Sequence, residues 1–554
     1  MRGNLEIARS VKLRPILEVA TAAGLDEEEL ELYGRHKAKV RLEALEARAE
    51  RPDGKLVLVT AITPTPAGEG KSTMTVGLTQ ALQRIGSRAV SATREPSLGP
   101  IFGMKGGATG GGYSQVMPME EINLHFTGDL HAITAANNLL ASMVENHLHW
   151  RLKPELDPRT VTWKRCLDMN DRSLRQVVVG LGRANGDPRE TGFEITAASE
   201  VMAVLSLAQS AEDLRARVAR IVVGSDRSGR PVTAGELKAS GAMTVLLRDA
   251  LKPNLVQTVE GTPALVHGGP FGNIAHGCSS VLATRMALKL GEICLTEAGF
   301  GADLGAEKFL DIKCRQAGLN PDAAVLVATV RALKMHGGVP LDELDQEDLK
   351  AIDAGFANLQ RHAENLRKFG LPILVAVNRF PSDTEAELEH LRHLCRQHDL
   401  PVGVADVWRR GGAGGEEVAH LLLETLQTPS GYHAIYRDDA PVAEKIETVA
   451  REVYRAGSVR FLPPAVKRLA WLKEHHYDRL PVCIAKTQYS FSDDPALHGA
   501  PEGHALTVRD LHLSAGAGFV VVYAGEILTM PGLPRQPSAV EMDLLPDGTM
   551  SGLF

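Results

Sequence analysis

Thr63-Pro-Thr-Pro-Ala-Gly-Glu-Gly-Lys-Ser-Thr73 is the stretch whose reading decides the fold. Ahead of it, Lys55-Leu-Val-Leu-Val-Thr-Ala-Ile62 is apolar and rich in β-branched residues, which predicts a buried strand. Behind it, Ser72 to Ile85 places Val76, Leu78, Leu82 and Ile85 at helical spacing, with Gly86 as a stop. A strand, a glycine-containing turn and a helix opening on Lys-Ser are the context of a phosphate loop, the alternative being an ordinary strand-to-helix turn with a chance Gly-Lys-Ser. In a phosphate loop the backbone N–H groups wrap phosphates, Lys71 meets the terminal ones, and the Ser72 hydroxyl reaches a magnesium ion. The expected nucleotide-binding residues are therefore Thr65, Pro66, Ala67, Gly68, Glu69, Gly70, Lys71 and Ser72, with Ser72 also the expected metal ligand. Thr65 stands where the usual pattern has glycine, and glycine returns at Gly68 and Gly70.

The chain continues in the same rhythm. Arg88-Ala-Val-Ser-Ala92 reads as a second strand, and Thr93-Arg-Glu-Pro-Ser97 leaves its end. In a parallel sheet both loops sit at carboxyl edges and face one crevice. Gly103 to Gly112 carries six glycines in ten residues, a loop that admits close backbone approach to an anion or serves as a linker. His125 and His131 are poorly spaced for a metal on one helix face, so no zinc site is expected. A helix follows from Ala132 to Trp150, then strand signals at Gln176-Val-Val-Val and Ile221-Val-Val. His267-Gly-Gly-Pro-Phe-Gly-Asn-Ile-Ala-His-Gly277 is a second glycine-rich loop, whose histidines either face an anion or close a tight turn. Glu297-Ala-Gly-Phe-Gly-Ala-Asp303 comes next, then three further strands: Ala323–Thr329, Leu371–Val377 and Leu400–Val404. The last two end in loops bearing Phe380 and Trp408, with a charged helix from Asp383 to His398 between them. Strands alternating with helices predict a doubly wound α/β domain.

Bulk properties bound the rest. A chain of 554 residues exceeds one ordinary core, so two to four domains are expected. Hydrophobic content of 44% and charged content of 23% belong to a globular class, and a net charge of −7 offers no footprint for nucleic acid. Six scattered cysteines form neither a zinc framework nor a disulfide scaffold. No apolar run reaches membrane-spanning length and no signal core opens the chain, which predicts a cytoplasmic protein. Residues 1–50 read as mainly helical. Arg451 to Arg479, with seven Lys or Arg against three acids, reads as a solvated helix face. Strands are expected at Pro481–Lys486 and Ala517–Tyr523, and Thr529–Arg535 as a proline-stiffened loop.

A set of ordered motifs spans nearly the whole chain. It comprises Thr65-Pro-Ala-Gly-Glu-Gly-Lys-Ser72, Arg94-Glu-Pro-Ser-Leu-Gly-Pro, Gly106-Gly-Ala-Thr-Gly-Gly-Gly-Tyr113, the His267–Gly277 loop, Lys308-Phe-Leu-Asp-Ile-Lys-Cys-Arg315, Ala485-Lys-Thr-Gln-Tyr-Ser490 and Met530-Pro-Gly-Leu-Pro534. Together they resemble the formate–tetrahydrofolate ligase family. The resemblance implies ATP-dependent ligation through formyl phosphate, with ADP, phosphate and 10-formyltetrahydrofolate as products. It implies Lys71 and Arg94 as catalytic residues, Arg94 holding formate and then formyl phosphate, and Phe380 and Trp408 sandwiching the pterin ring. It also implies magnesium, activation by K+ or NH4+, and a homotetramer, with no nucleic-acid or membrane partner.

The fold expected is P-loop NTPase-like: a doubly wound, mostly parallel sheet with two smaller additional α/β domains. Residues 1–360 would form the nucleotide domain with its N-terminal helical segment, 361–450 a folate-contacting domain, and 451–554 a C-terminal domain. The alternative is a nucleotide-driven switch or partitioning ATPase, which shares the loop but needs no second substrate.

Overall fold

The computed structural model describes residues 3–66, 68–104 and 109–553. Twelve strands form the central sheet: β1 (Leu30–Leu32), β2 (Ala38–Val40), β3 (Lys55–Ala61), β4 (Ala89–Thr93), β5 (Gly110–Gly111), β6 (Ser114–Met117), β7 (Asn254–Thr258), β8 (Pro263–Val266), β9 (Ile293–Glu297), β10 (Ala323–Ala328), β11 (Ile373–Asn378) and β12 (Val402–Ala405). Their order is β1-β2-β7-β8-β4-β9-β3-β10-β11-β12, with β6 on β7 and β5 on β6. From β8 to β12 every neighbouring pair is parallel. The pairs β1–β2, β2–β7, β6–β7 and β7–β8 are antiparallel.

Parallel strands covered on both faces need side chains that are apolar in both directions. Accordingly, β9, β10 and β11 are buried at every position. Val57, Val59 and Ala61 pack beneath helix α1 (Lys71–Arg84) with Met74 and Leu78, whereas Leu56 and Leu58 join the larger core on the opposite face. Seven parallel strands thereby bring their carboxyl ends to a single edge.

Several expectations are met within three residues. The first strand, α1, the Asp129–His149 helix and the Glu385–Gln397 helix lie where the sequence puts them. Other segments differ. Among the described residues of the N-terminal fifty there are three short α-helices and one 3-10 turn, but Leu30–Leu32 and Ala38–Val40 are strands, because pairing with β7 satisfies a sheet edge that local helical spacing does not reveal. Val177–Val179 pairs only with Arg189–Thr191, and Val222–Ser225 only with Pro231–Thr233. Both form two-stranded hairpins outside the main sheet, and Val178 is exposed. Residue 360 lies within the Leu349–Lys368 helix, and β11 and β12 extend the same sheet beyond it. The basic stretch after Arg451 splits into a strand, Ser458–Phe461, and a helix, Pro463–Glu474. The C-terminal part builds its own core around a sheet of Val482–Ala485, Phe519–Tyr523 and Asp510–Ser514.

Candidate functional site

Along the carboxyl edge, strands β4, β9, β3, β10, β11 and β12 stand side by side. Each ends in a polar or aromatic residue of interest: Arg94, Glu297, Thr63, Thr329, Asn378 and, three residues past β12, Trp408. This is where doubly wound sheets bind ligands, since helix N-termini and loop amides converge there.

The turn between β3 and α1 is held from below. Gly68 and Gly70 have φ of 79° and 73°, a conformation that favours glycine. A Cβ on Gly70 would lie 2.4 Å from Asn378 Nδ2, so glycine is also required for space. Asn378 Nδ2 donates to the Glu69 carbonyl at 3.1 Å, and the Arg331 guanidinium donates to the Gly68 carbonyl. The Glu69 side chain is buried; its Oε1 accepts the Thr65 N–H at 2.7 Å and its Oε2 the Thr329 hydroxyl. Thr63 is tied to the Leu349–Lys368 helix by Asn358 and by His362, whose Nε2 lies 2.9 Å from the Thr63 hydroxyl. Pro66 is exposed, and Ala67 lies outside the described residues.

At the opening of α1, Ser72 Oγ donates to Glu297 Oε2 at 2.6 Å. Arg94 Nε lies 3.7 Å from the other oxygen, Glu297 Oε1, which is buried and has no hydrogen-bond partner among the described residues. Burial pulls the Lys71 ammonium below its ordinary pKa; Glu297 and Glu69 pull it back up, and Arg94 pushes it down. A cavity of about 420 Å³ opens here, lined among others by Ser72, Arg94, Gly269, Asn273 and Phe300. Two cations, loop amides and a carboxylate aimed at a hydroxyl suit an anion accompanied by a divalent ion. Ser72 Oγ and Glu297 Oε1 are oxygen donors of the kind that suits a divalent ion such as magnesium.

The chain matches the family model described as formate–tetrahydrofolate ligase over residues 2–554. It is 58% identical over 555 residues to the formate–tetrahydrofolate ligase of Paracoccus denitrificans, covering the full length of both chains. The chain belongs to the formate–tetrahydrofolate ligase family.

In this ligase the predicted catalytic residues, Lys71 and Arg94, converge through Glu297. The predicted aromatic residues are both half-buried but separate. Phe380 lies under the Arg331 guanidinium, 3.8 Å from the ring centroid, and its N–H donates to Asp383 Oδ2 at 2.7 Å. Trp408 sits in the short helix Val407–Arg410 after β12, where its carbonyl accepts the Tyr113 N–H at 2.8 Å. Among the described residues no ring contact joins the two.

The histidines of the 267–277 loop do not offer charge to an anion. His267 is buried between Ser280 Oγ and the Ala250 carbonyl, each at 2.6 Å, and burial pushes its pKa down to about 4. The His276 ring is buried with no hydrogen-bond partner among the described residues and is held well below its ordinary pKa by burial and nearby cations. The loop instead contributes Gly269, Gly272 and Asn273 to the cavity wall. Of the glycine-rich 103–112 loop, residues 105–108 lie outside the described part; Gly110–Gly111 form β5.

Sequence reading missed Glu297, Thr329, Arg331 and Asn378 as site residues. The available signal was positional: each closes or follows a buried parallel strand beside the Thr63–Ser72 turn.

Proposed function

We propose that the protein joins formate to tetrahydrofolate at the expense of ATP, through formyl phosphate, giving 10-formyltetrahydrofolate, ADP and phosphate. The observation that carries this reading is the convergence of Lys71, Ser72, Glu297 and Arg94 at adjoining strand ends. Bringing formate to a triphosphate unites two anions, and fixed positive charge in a poorly solvated site offsets their repulsion. A formate oxygen attacks the γ-phosphorus, and the bond to the β–γ bridging oxygen breaks to release ADP. The N10 amine of tetrahydrofolate then attacks the formyl carbon, loses its proton, and inorganic phosphate departs.

Lys71 and the N–H groups at the helix end of the phosphate loop, Glu69 to Ser72, stabilise the transferring phosphoryl oxygens. Arg94 holds formate, then formyl phosphate, through its planar fork. Ser72 and Glu297 hold magnesium, which when bound neutralises phosphate charge. Glu69 acts beneath the loop, bracing it by accepting the Thr65 N–H and the Thr329 hydroxyl. Phe380 and Trp408, from adjoining strand ends, supply the apolar faces for the pterin ring. The P-loop-type sheet with two smaller domains, the homotetramer, activation by K+ or NH4+ and a cytoplasmic location belong to this same reading.

Product analysis with ATP, formate and tetrahydrofolate tests it. A formylated folate and ADP are expected in equal amounts, with ADP formation requiring both other substrates. ATP hydrolysis indifferent to formate and folate would favour a nucleotide switch instead.

A further inference from the structure

A chamber of about 460 Å³ lies away from Arg94, between the Val177–Thr191 hairpin, the C-terminal sheet and the far side of the 267–277 loop. That loop separates the two spaces. Gly269 and Asn273 line the Arg94 cavity, whereas Ile274 and Ala275 line the chamber. Its walls carry the aromatic side chains of Trp163, Phe519 and Tyr523, and its volume is that of a small-ligand site.

Two carboxyl groups enter the chamber with oxygens to spare. Glu200, at the start of the Glu200–Leu207 helix, is only 8% exposed. Its Oε1 accepts the N–H groups of Gly516 and Ala517, at 2.7 and 3.4 Å, while Oε2 has no hydrogen-bond partner among the described residues. Glu194, half-buried and close enough to raise the Glu200 pKa, lines the same space, its carboxyl group without a hydrogen bond from any described residue. A carboxylate that is only partly solvated is satisfied by a proton or by a cation brought to it.

We propose that this chamber binds a small organic monocation, an alkylammonium or alkylguanidinium, between the Glu194 and Glu200 carboxylates. The occupant is organic because aromatic walls suit an alkyl body. No cluster of three or more metal-ligating side chains occurs among the described residues. It is a monocation because of the charge lining the space. Ionised Glu190, Glu194 and Glu200 face Lys164 and Arg175, leaving one negative charge in excess. Arg175 is already engaged, its Nε donating to the Met530 carbonyl at 2.9 Å. Tyr523 stays neutral because burial raises its pKa, and His512 stays neutral because burial, helped by Arg468 and Lys164 against Asp510, lowers its pKa to about 4.

Binding is then linked to proton release. Burial lifts Glu194 to about 7, with Lys164 opposing, and Glu200 to about 8, with the Gly516 and Ala517 amides opposing. Near neutral pH the empty chamber therefore holds protons that a cation displaces. Affinity rises with pH up to about 8 and levels off above it.

The test is calorimetric titration of the full chain with n-butylammonium and, separately, methylguanidinium. It is run at pH 7 in two buffers of different ionisation enthalpy. Saturable binding at one site per chain is expected with at least one of the two, releasing about one proton per cation. Glu200→Gln keeps an acceptor for the Gly516 amide, and Glu194→Gln alters a side chain that no described residue hydrogen-bonds; each should weaken binding ten-fold or more and reduce the proton release. Lys71→Met should bind the cation as the natural chain does, which separates this site from the nucleotide reading. The proposal is overturned by the absence of saturable binding, by an equal response to n-butanol or equimolar KCl, by binding without proton release, or by glutamine variants that bind normally.

Discussion

At the residue scale, Glu297 organises the site, because one buried carboxylate addresses both the hydroxyl that opens α1 and the arginine of the next strand. Glu297→Gln keeps an acceptor for Ser72 but removes the charge a divalent ion requires. Ligation should fall about ten-fold or more and the magnesium needed for half-maximal rate should rise; an unchanged magnesium titration would take Glu297 out of the metal site. Lys71 is held by surroundings that penalise its charge, so it gains most when a phosphate arrives. Lys71→Met should slow turnover by about two orders of magnitude or more while the fold survives. Arg94→Ala should lose the forward reaction and also the transfer of phosphate from carbamoyl phosphate, a stable mimic of formyl phosphate, to ADP. Arg94→Lys should recover little, because an ammonium cannot reproduce two parallel contacts. Carbamoyl phosphate turnover by the alanine variant at the natural rate would remove Arg94 from the acyl phosphate.

At the element scale, the turn after β12 and the β5–β6 hairpin hold each other through backbone contacts, so their glycines are not interchangeable with others. A Cβ at Gly112, where φ is 59°, would come within 2.0 Å of the Trp408 carbonyl. Gly86 also has positive φ, 93°, but nothing lies within 4 Å of its added Cβ. Gly86→Ala should therefore cost only conformational strain, about 1 kcal/mol, and leave substrate binding alone. Gly112→Ala should displace the Trp408 turn and raise the KM for tetrahydrofolate with little change for ATP. Equal KM values in the two variants would disconnect Trp408 from the folate. The same contrast explains what the sequence made legible. β3, α1 and the strand at Ala323 could be read because their apolar spacing matches one periodicity over many residues. β1, β2 and β6 could not, because strands this short carry almost no pattern and are fixed by partners far along the chain. Lys71, Ser72 and Arg94 follow strand ends, so local motifs found them. Glu297 and Asn378 needed the strand order, which places β9 and β11 near β3 only in three dimensions.

At the scale of the whole molecule, ionisable groups are buried on both sides of the sheet and in the C-terminal part, and they divide the pH range among them. Burial lowers His267 and His512 to about 4 and His362 to about 3. Their unfolded partners titrate near 6.5, so what they contribute is complete above that and is lost on acidification. Burial raises Asp311 and Asp383 to about 6, so both are ionised by pH 7. Lys445, lowered to about 8 by burial, has only begun to discharge in the folded chain at that point. Between about pH 7 and 8 the folded chain titrates Glu194 and Glu200, raised to about 7 and 8, with the discharge of Lys445 partly opposing their effect on stability. For a raised carboxyl the folded chain holds a proton that the unfolded chain has already released near pH 4.5. Its contribution is present at low pH and is lost as pH rises through the folded value, so stability falls across this window. For Glu200 the loss between pH 6 and 8 amounts to about 2 kcal/mol. Melting temperatures recorded without organic cations should thus decline from pH 6.5 to 8.5 in the natural chain and decline less in Glu200→Gln, which has no proton to lose there. Parallel melting curves for the two chains across that range would show that Glu200 is ionised throughout, and that the chamber is wetter than its walls imply.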